Sequence, residues 1–139
     1  MKLLAHLHFS GNCREAFNFY ADVFGGQIEF AVTFGEMPGP APEGMREKLA
    51  HARLNLKGEY LLGCDAPAEH YQVPHGFNIM SHIDVATEAE RVFNRLADRG
   101  TVIMPFQQTS WAYRFGMCND RFGTPWMVNC EAAPPVPGR

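Results

Sequence analysis

One order of signals occurs twice along this chain, and few folds accommodate that. An alternating strand is followed by a helix with start and stop signals, and then by three further strand-like segments. In the first pass, Ala5 to Phe9 alternates and a helix runs from about Cys13 to Phe24, with Ala16, Phe19, Tyr20, Val23 and Phe24 at helical spacing. Asn12 and Glu15 are spaced as a capping box, and Gly25-Gly26 supplies the stop. Strands follow at Gln27–Phe34, His51–Leu56 and Tyr60–Cys64, the last two joined by a Lys57-Gly58 turn. In the second pass, Phe77 to Val85 leads into a helix from about Glu88 to Arg99, with Ala89, Val92, Phe93, Leu96 and Ala97 as its stripe. Thr87 and Glu90 repeat the capping box, Gly100 repeats the stop, and strands follow at Thr101–Phe106, Tyr113–Asn119 and Pro125–Glu131.

Neither βαβββ unit buries both faces of its own sheet, because one helix covers only one side. The expected class is therefore α+β: two βαβββ modules whose remaining sheet faces curl around a cleft. At 139 residues the chain has the size of a single domain. Module one spans about 1–65, a linker about 66–75, module two about 76–131, and a frayed tail 132–139. The Pro- and Gly-rich stretch Gly35–Lys48 reads as a long surface loop. His70 and His75 fall in the linker and read as solvent-exposed.

Composition narrows the partners. A net charge of -3, with no run among 12 basic residues, argues against nucleic acid, whose phosphates need clustered cations. No apolar stretch is long enough to span a bilayer, and no signal peptide is read at the N-terminus. The cysteines Cys13, Cys64, Cys118 and Cys130 form no CxxC pair, so reduced thiols and a cytoplasmic location are expected.

The runs FSGNCREAFNFYADVFGG, HARLNLKG and DRFGTPWMVN resemble the PhnB-like branch of the vicinal oxygen chelate superfamily, which includes glyoxalase I, bleomycin-resistance proteins and extradiol dioxygenases. The resemblance extends from Ala5 to Glu131. It implies paired βαβββ modules, a homodimer, and, in the enzymes, a divalent metal held by one side chain from each of four strands. Those positions fall here at Leu4, Ala5 or His6 on the first strand, at His51, at Asn78 and at Met127. Asn offers only a neutral amide oxygen and Met a thioether, neither suited to the divalent ions concerned. The expectation is that this metal site is lost, with no metal and no cofactor.

A competing metal reading uses other residues. Alternation places His6 and His8 on the face opposite Ala5, Leu7 and Phe9, so that with His51 and His82 several imidazoles could share one cleft. The plainer alternative is that these histidines line the cleft or the surface. Asn78, Met80 and His82 face away from Phe77, Ile79 and Ile83, which are expected to pack on the helix. Arg53 shares a face with His51 and would favour an anionic ligand group, or else is a solvated strand residue. Trp111, Tyr113 and Phe115 are either core or the wall of an apolar cleft, with Trp111 the preferred wall. Cys118 reads as a small core residue rather than a nucleophile, and Asp120 as the cap of the turn before Gly123.

The candidate ligand-binding residues are therefore His6, His8, His51, Arg53, Asn78, His82, Trp111, Tyr113 and Met127, with no catalytic residue assigned. Relatives in this branch sometimes carry a methyltransferase label, but no Gly-rich strand-to-helix turn offers a site for a methyl donor. The expected function is metal-independent binding of a small molecule. The alternative is an enzyme, a lyase, isomerase or dioxygenase with a reorganised site.

Overall fold

The computed structural model describes residues 1–134; of the expected tail, residues 135–139 lie outside the described residues. The backbone divides into two compact units, Met1–Gln72 and a second beginning at Val73.

In the first unit, β1 (His6–Phe9), β2 (Gln27–Thr33), β3 (Leu49–Leu56) and β4 (Glu59–Asp65) form one sheet in the order β1-β4-β3-β2, with α1 (Cys13–Phe24) packed on it. β1 runs parallel to β4, and the other pairs are antiparallel. The second unit repeats this plan. Its strands β5 (Ile79–His82), β6 (Thr101–Gln107), β7 (Arg114–Asn119) and β8 (Pro125–Cys130) take the order β5-β8-β7-β6, and α2 (Ala86–Ala97) covers one face. β5 is parallel to β8. This is the two-module glyoxalase/bleomycin-resistance-like architecture.

The first core forms where α1 lays Cys13, Ala16, Phe17, Tyr20 and Val23 against Leu7, Phe9, Ala52, Leu54 and Leu61 of the sheet, all of them buried. Fully burying a large apolar side chain contributes about 1.5–3 kcal/mol, so these contacts hold a short helix that would not persist alone. Phe17 belongs to this face, whereas Phe19 and Phe24 are only half-buried. The reason lies in the sheet. Gly63 leaves room for the Phe17 ring, and a Cβ there would stand 2.6 Å from Phe17 Cζ. The second unit uses the same device, with Phe93 seated over Gly116 at 2.7 Å.

Both expected capping boxes fail to form. Asn12 and Val85 are the N-cap residues, and neither gives a side-chain cap bond. At α1 the job falls to Asp65, buried at the end of β4, whose Oδ1 accepts from Gly11 N–H (3.1 Å) and Cys13 N–H (2.9 Å). Its Oδ2 accepts from Leu49 N–H at 2.8 Å, so one carboxylate joins the helix start to two strands. α2 starts earlier than expected, which places Thr87 and Glu90 inside it. A capping box does form at Thr33 and Glu36, around the 3-10 turn Phe34–Glu36 that opens the long loop. Gly25 stops α1 with φ of 80°, but at α2 the left-handed residue is Arg99, φ 61°, rather than Gly100. Gly26 and Gly100 share a different role, since a Cβ on either would collide with the carbonyl oxygen of Asn55 or Asn119 on the neighbouring strand. Phe77 lies before β5 and is exposed, so it does not join the core. Among the described residues, no helix is long and apolar enough to cross a membrane.

Candidate functional site

Each unit has one sheet face free of its own helix, and the candidate residues lie on those two faces or beside them. On the first sheet, Leu7 and Phe9 are buried toward α1, which turns His6 and His8 to the open face. The register pairs His6 with Leu62 and His8 with Cys64, and across β3 it pairs Arg53 with Leu62. His6, His8, Cys64, His51 and Arg53 thus occupy one face. The His6 and His8 rings are 5.0 Å apart, and His6 stacks on His51 at 5.9 Å. Cys64 Sγ lies 3.4 Å from His8 Nδ1, and one donor atom from each of His6, His8 and Cys64 fits within 4.8 Å of the others.

Electrostatics follow from this crowding. Partial burial, then the neighbouring His8 and His51, hold the His6 imidazole below its usual 6.5. Burial, then the Asp65 carboxylate, push the Cys64 thiol up. Arg53 already has an acidic partner: its guanidinium meets Glu29 Oε2 at 3.0 Å and packs 5.1 Å from the centre of the Tyr60 ring. Asn55 donates to the other Glu29 oxygen at 2.6 Å, and these bonds hold the Glu29 carboxyl below the ordinary range. An anionic ligand group would have to compete with Glu29 for Arg53.

On the second sheet, Met80 and His82 are exposed and Asn78, one residue before β5, is half-buried. His82 Nδ1 lies 3.1 Å from Asn129 Nδ2. Trp111 is 61% exposed, edge-on to the buried Phe115 at 5.5 Å, and lies ahead of β7. Tyr113 is half-buried beneath the Arg114 guanidinium, 4.1 Å from the ring centre. Phe115 is core. Cys118 is core as well, and burial, then Asp120, push its thiol up to about 12. Asp120 accepts from Phe122 N–H, Thr124 N–H and Trp126 Nε1–H, fixing the turn at Gly123.

The register also brings together a row that alternation alone did not show. Met80 pairs with Met127, Met127 with Met117, and Met117 with Met104, so four thioethers from β5, β8, β7 and β6 cross the open face in line. They are four of the chain's seven methionines. Thioether side chains are apolar, polarisable and rotationally adaptable, so such a row makes a deformable apolar floor.

These surroundings test the four-strand metal site implied by the family resemblance. Met127, at the carboxylate position, is flanked on its sheet by Met80 and Met117, and Asn78 brings a neutral amide. Hard or borderline divalent ions need carboxylate or imidazole donors at those places. The residues present do not fit that ion.

Comparison with known proteins adds the family. Residues 1–129 match the family described as 3-demethylubiquinone-9 3-methyltransferase. Protein YjdN of Escherichia coli (strain K12) is 33% identical over 98% of this chain and 99% of its own length. The crystal structure of protein PA1353 from Pseudomonas aeruginosa is 43% identical, with a TM-score of 0.87 over 94% of this chain and 98% of that one. The PhnB protein from Bacillus cereus is 26% identical, with a TM-score of 0.80 over 94% and 99% of the two chains. The fosfomycin resistance protein FosX from Listeria monocytogenes shares the fold alone, at 10% identity and a TM-score of 0.65, covering 95% of this chain and 93% of that one. Matched along nearly its whole length, and built from the same paired units, this chain belongs to that family, the PhnB-like branch of the vicinal oxygen chelate superfamily.

Proposed function

We propose that this protein binds a small molecule with an apolar portion on the open sheet face of its second unit, without the divalent ion that metal-using relatives hold across four strands. The observation that carries this reading is the Met80–Met127–Met117–Met104 row, which puts an adaptable apolar floor where a metal carboxylate would stand. Trp111, Tyr113, Asn78 and His82 supply stacking and hydrogen bonds on the same unit, while His6, His8, His51 and Arg53 form a separate polar set on the first unit's own open face. The methyl transfer in the family's description does not enter this reading, because both sheets are mixed and neither has a Gly-rich strand-to-helix turn. An enzyme of the lyase, isomerase or dioxygenase class is the second reading, favoured by the convergence of His6, His8 and Cys64. A homodimer is proposed as the working state, and sedimentation showing only the 15.6 kDa species at micromolar concentration would count against it.

The test uses the apolar anion 1-anilinonaphthalene-8-sulfonate with full-length protein dialysed against EDTA. Its fluorescence is expected to rise to saturation at one molecule per chain. Met127→Glu, which sets a carboxylate into the thioether row, is expected to weaken binding at least about tenfold, with the fold checked by circular dichroism. Saturable binding only after zinc or manganese is added, or binding indifferent to Met127→Glu, would sink the reading.

A further inference from the structure

The first unit's open face holds three soft or borderline donors, of which only His6 is also a candidate for one of the four-strand positions. His8 and Cys64 stand opposite each other on β1 and β4, and His6 lies two residues along β1 on the same face. The 3.4 Å between His8 Nδ1 and Cys64 Sγ can be compared with what a metal requires. Zinc bonds of about 2.3 Å to sulfur and about 2.0–2.1 Å to nitrogen, at a tetrahedral angle, separate the two donors by about 3.6 Å. The pair therefore stands near coordination distance already. The third donor lies within 4.8 Å of both, and its exposed imidazole closes the remainder by rotating about its side-chain bonds.

We infer that His6, His8 and Cys64 form a single-unit site for a zinc-class ion, with one coordination position left open. Thiolate and imidazole donors select this class over magnesium or calcium, which take oxygen. Two neutral imidazoles and one thiolate leave a net single positive charge on the bound ion, so the open position takes water or an anionic oxygen. His51 stacks on His6, with 5.9 Å between the ring centres. Binding displaces the Cys64 thiol proton to solvent and changes no oxidation state. The site stands apart from the apolar binding proposed above, which is assayed in EDTA, so either can fail alone.

The experiment is a cobalt(II) titration of reduced, untagged, EDTA-treated full-length protein, followed by absorbance. One equivalent is expected to produce a thiolate-to-cobalt charge-transfer band and the visible bands of four-coordinate cobalt, both erased by zinc. Cys64→Ser is expected to abolish the charge-transfer band while circular dichroism stays unchanged. His8→Ala and His6→Ala should each weaken cobalt binding at least about tenfold, as losing even an outer-shell partner does. His70→Ala and His75→Ala, exposed and outside the cluster, should change nothing. Absence of a thiolate band in the unsubstituted protein, or a band that survives Cys64→Ser, would overturn the assignment and leave an ordinary thiol–imidazole hydrogen bond.

Discussion

Replacing Asp65 should loosen the first unit at its most connected point. The buried carboxylate is the sole side-chain acceptor described for the amides of Gly11, Cys13 and Leu49, at 3.1, 2.9 and 2.8 Å. Each buried amide that loses its acceptor costs about 1–3 kcal/mol. Cys13 and Leu49 are buried and Gly11 is half-buried, so Asp65→Ala is expected to cost about 3–5 kcal/mol. That is a large share of the roughly 5–15 kcal/mol of a typical fold. Asp65→Asn is not conservative here, because its NH2 must face at least one N–H donor, and a loss of about 2 kcal/mol is expected. Urea unfolding followed by far-UV circular dichroism measures both. Tryptophan fluorescence would not report directly, since Trp111 and Trp126 both lie in the second unit. Native-state hydrogen exchange adds the location: in Asp65→Ala the Cys13 and Leu49 amides should exchange about a hundredfold faster. Losses below about 1 kcal/mol for both variants, with those amides still protected, would mean that Asp65 does not hold these amides.

Gly26→Ala and Gly100→Ala should each destabilise by about 1–3 kcal/mol or more, because the obstacle is a strand carbonyl that cannot swing aside; thermal unfolding checks both. The His6 ring should titrate below 6.5 by NMR and move up when His8 or His51 is replaced by Ala. Because its folded value is the lower one, the unfolded chain binds the proton more readily. Its contribution is therefore fully present above 6.5 and lost as pH falls through the folded value. Cys118, pushed up to about 12, should resist iodoacetamide at neutral pH in folded protein and react once urea is added.

The repeat made the architecture legible before any coordinates, because period-two and helical patterns switch in the same order in both halves. What the sequence hid is long-range. The cap of α1 comes from Asp65, 52 positions beyond Cys13, so local spacing pointed to Glu15 instead. Phe17 replaces Phe19 on the buried face because Gly63, on a distant strand, leaves the space. Alternation paired His6 with His8 on one strand and His51 with Arg53 on another, but that the two pairs share one face of the first sheet came from the register. It could not place Cys64 beside His8, nor align Met104 with Met117, since both depend on register and the β6–β7 pair contains bulges. Arg53 was readable as a cation but not as one already paired with Glu29.

Whether the methionine row holds a small molecule without a divalent ion can be read at the methionine methyls by NMR. Protein labelled with 13C at the methionine methyls, kept in EDTA, would be titrated with 1-anilinonaphthalene-8-sulfonate. Saturable shifts of the Met80, Met104, Met117 and Met127 methyls are expected, with the buried Met45 and the exposed Met37 unmoved. Shifts confined to Met37, or row shifts that appear only once zinc is added, would contradict metal-free binding on this row.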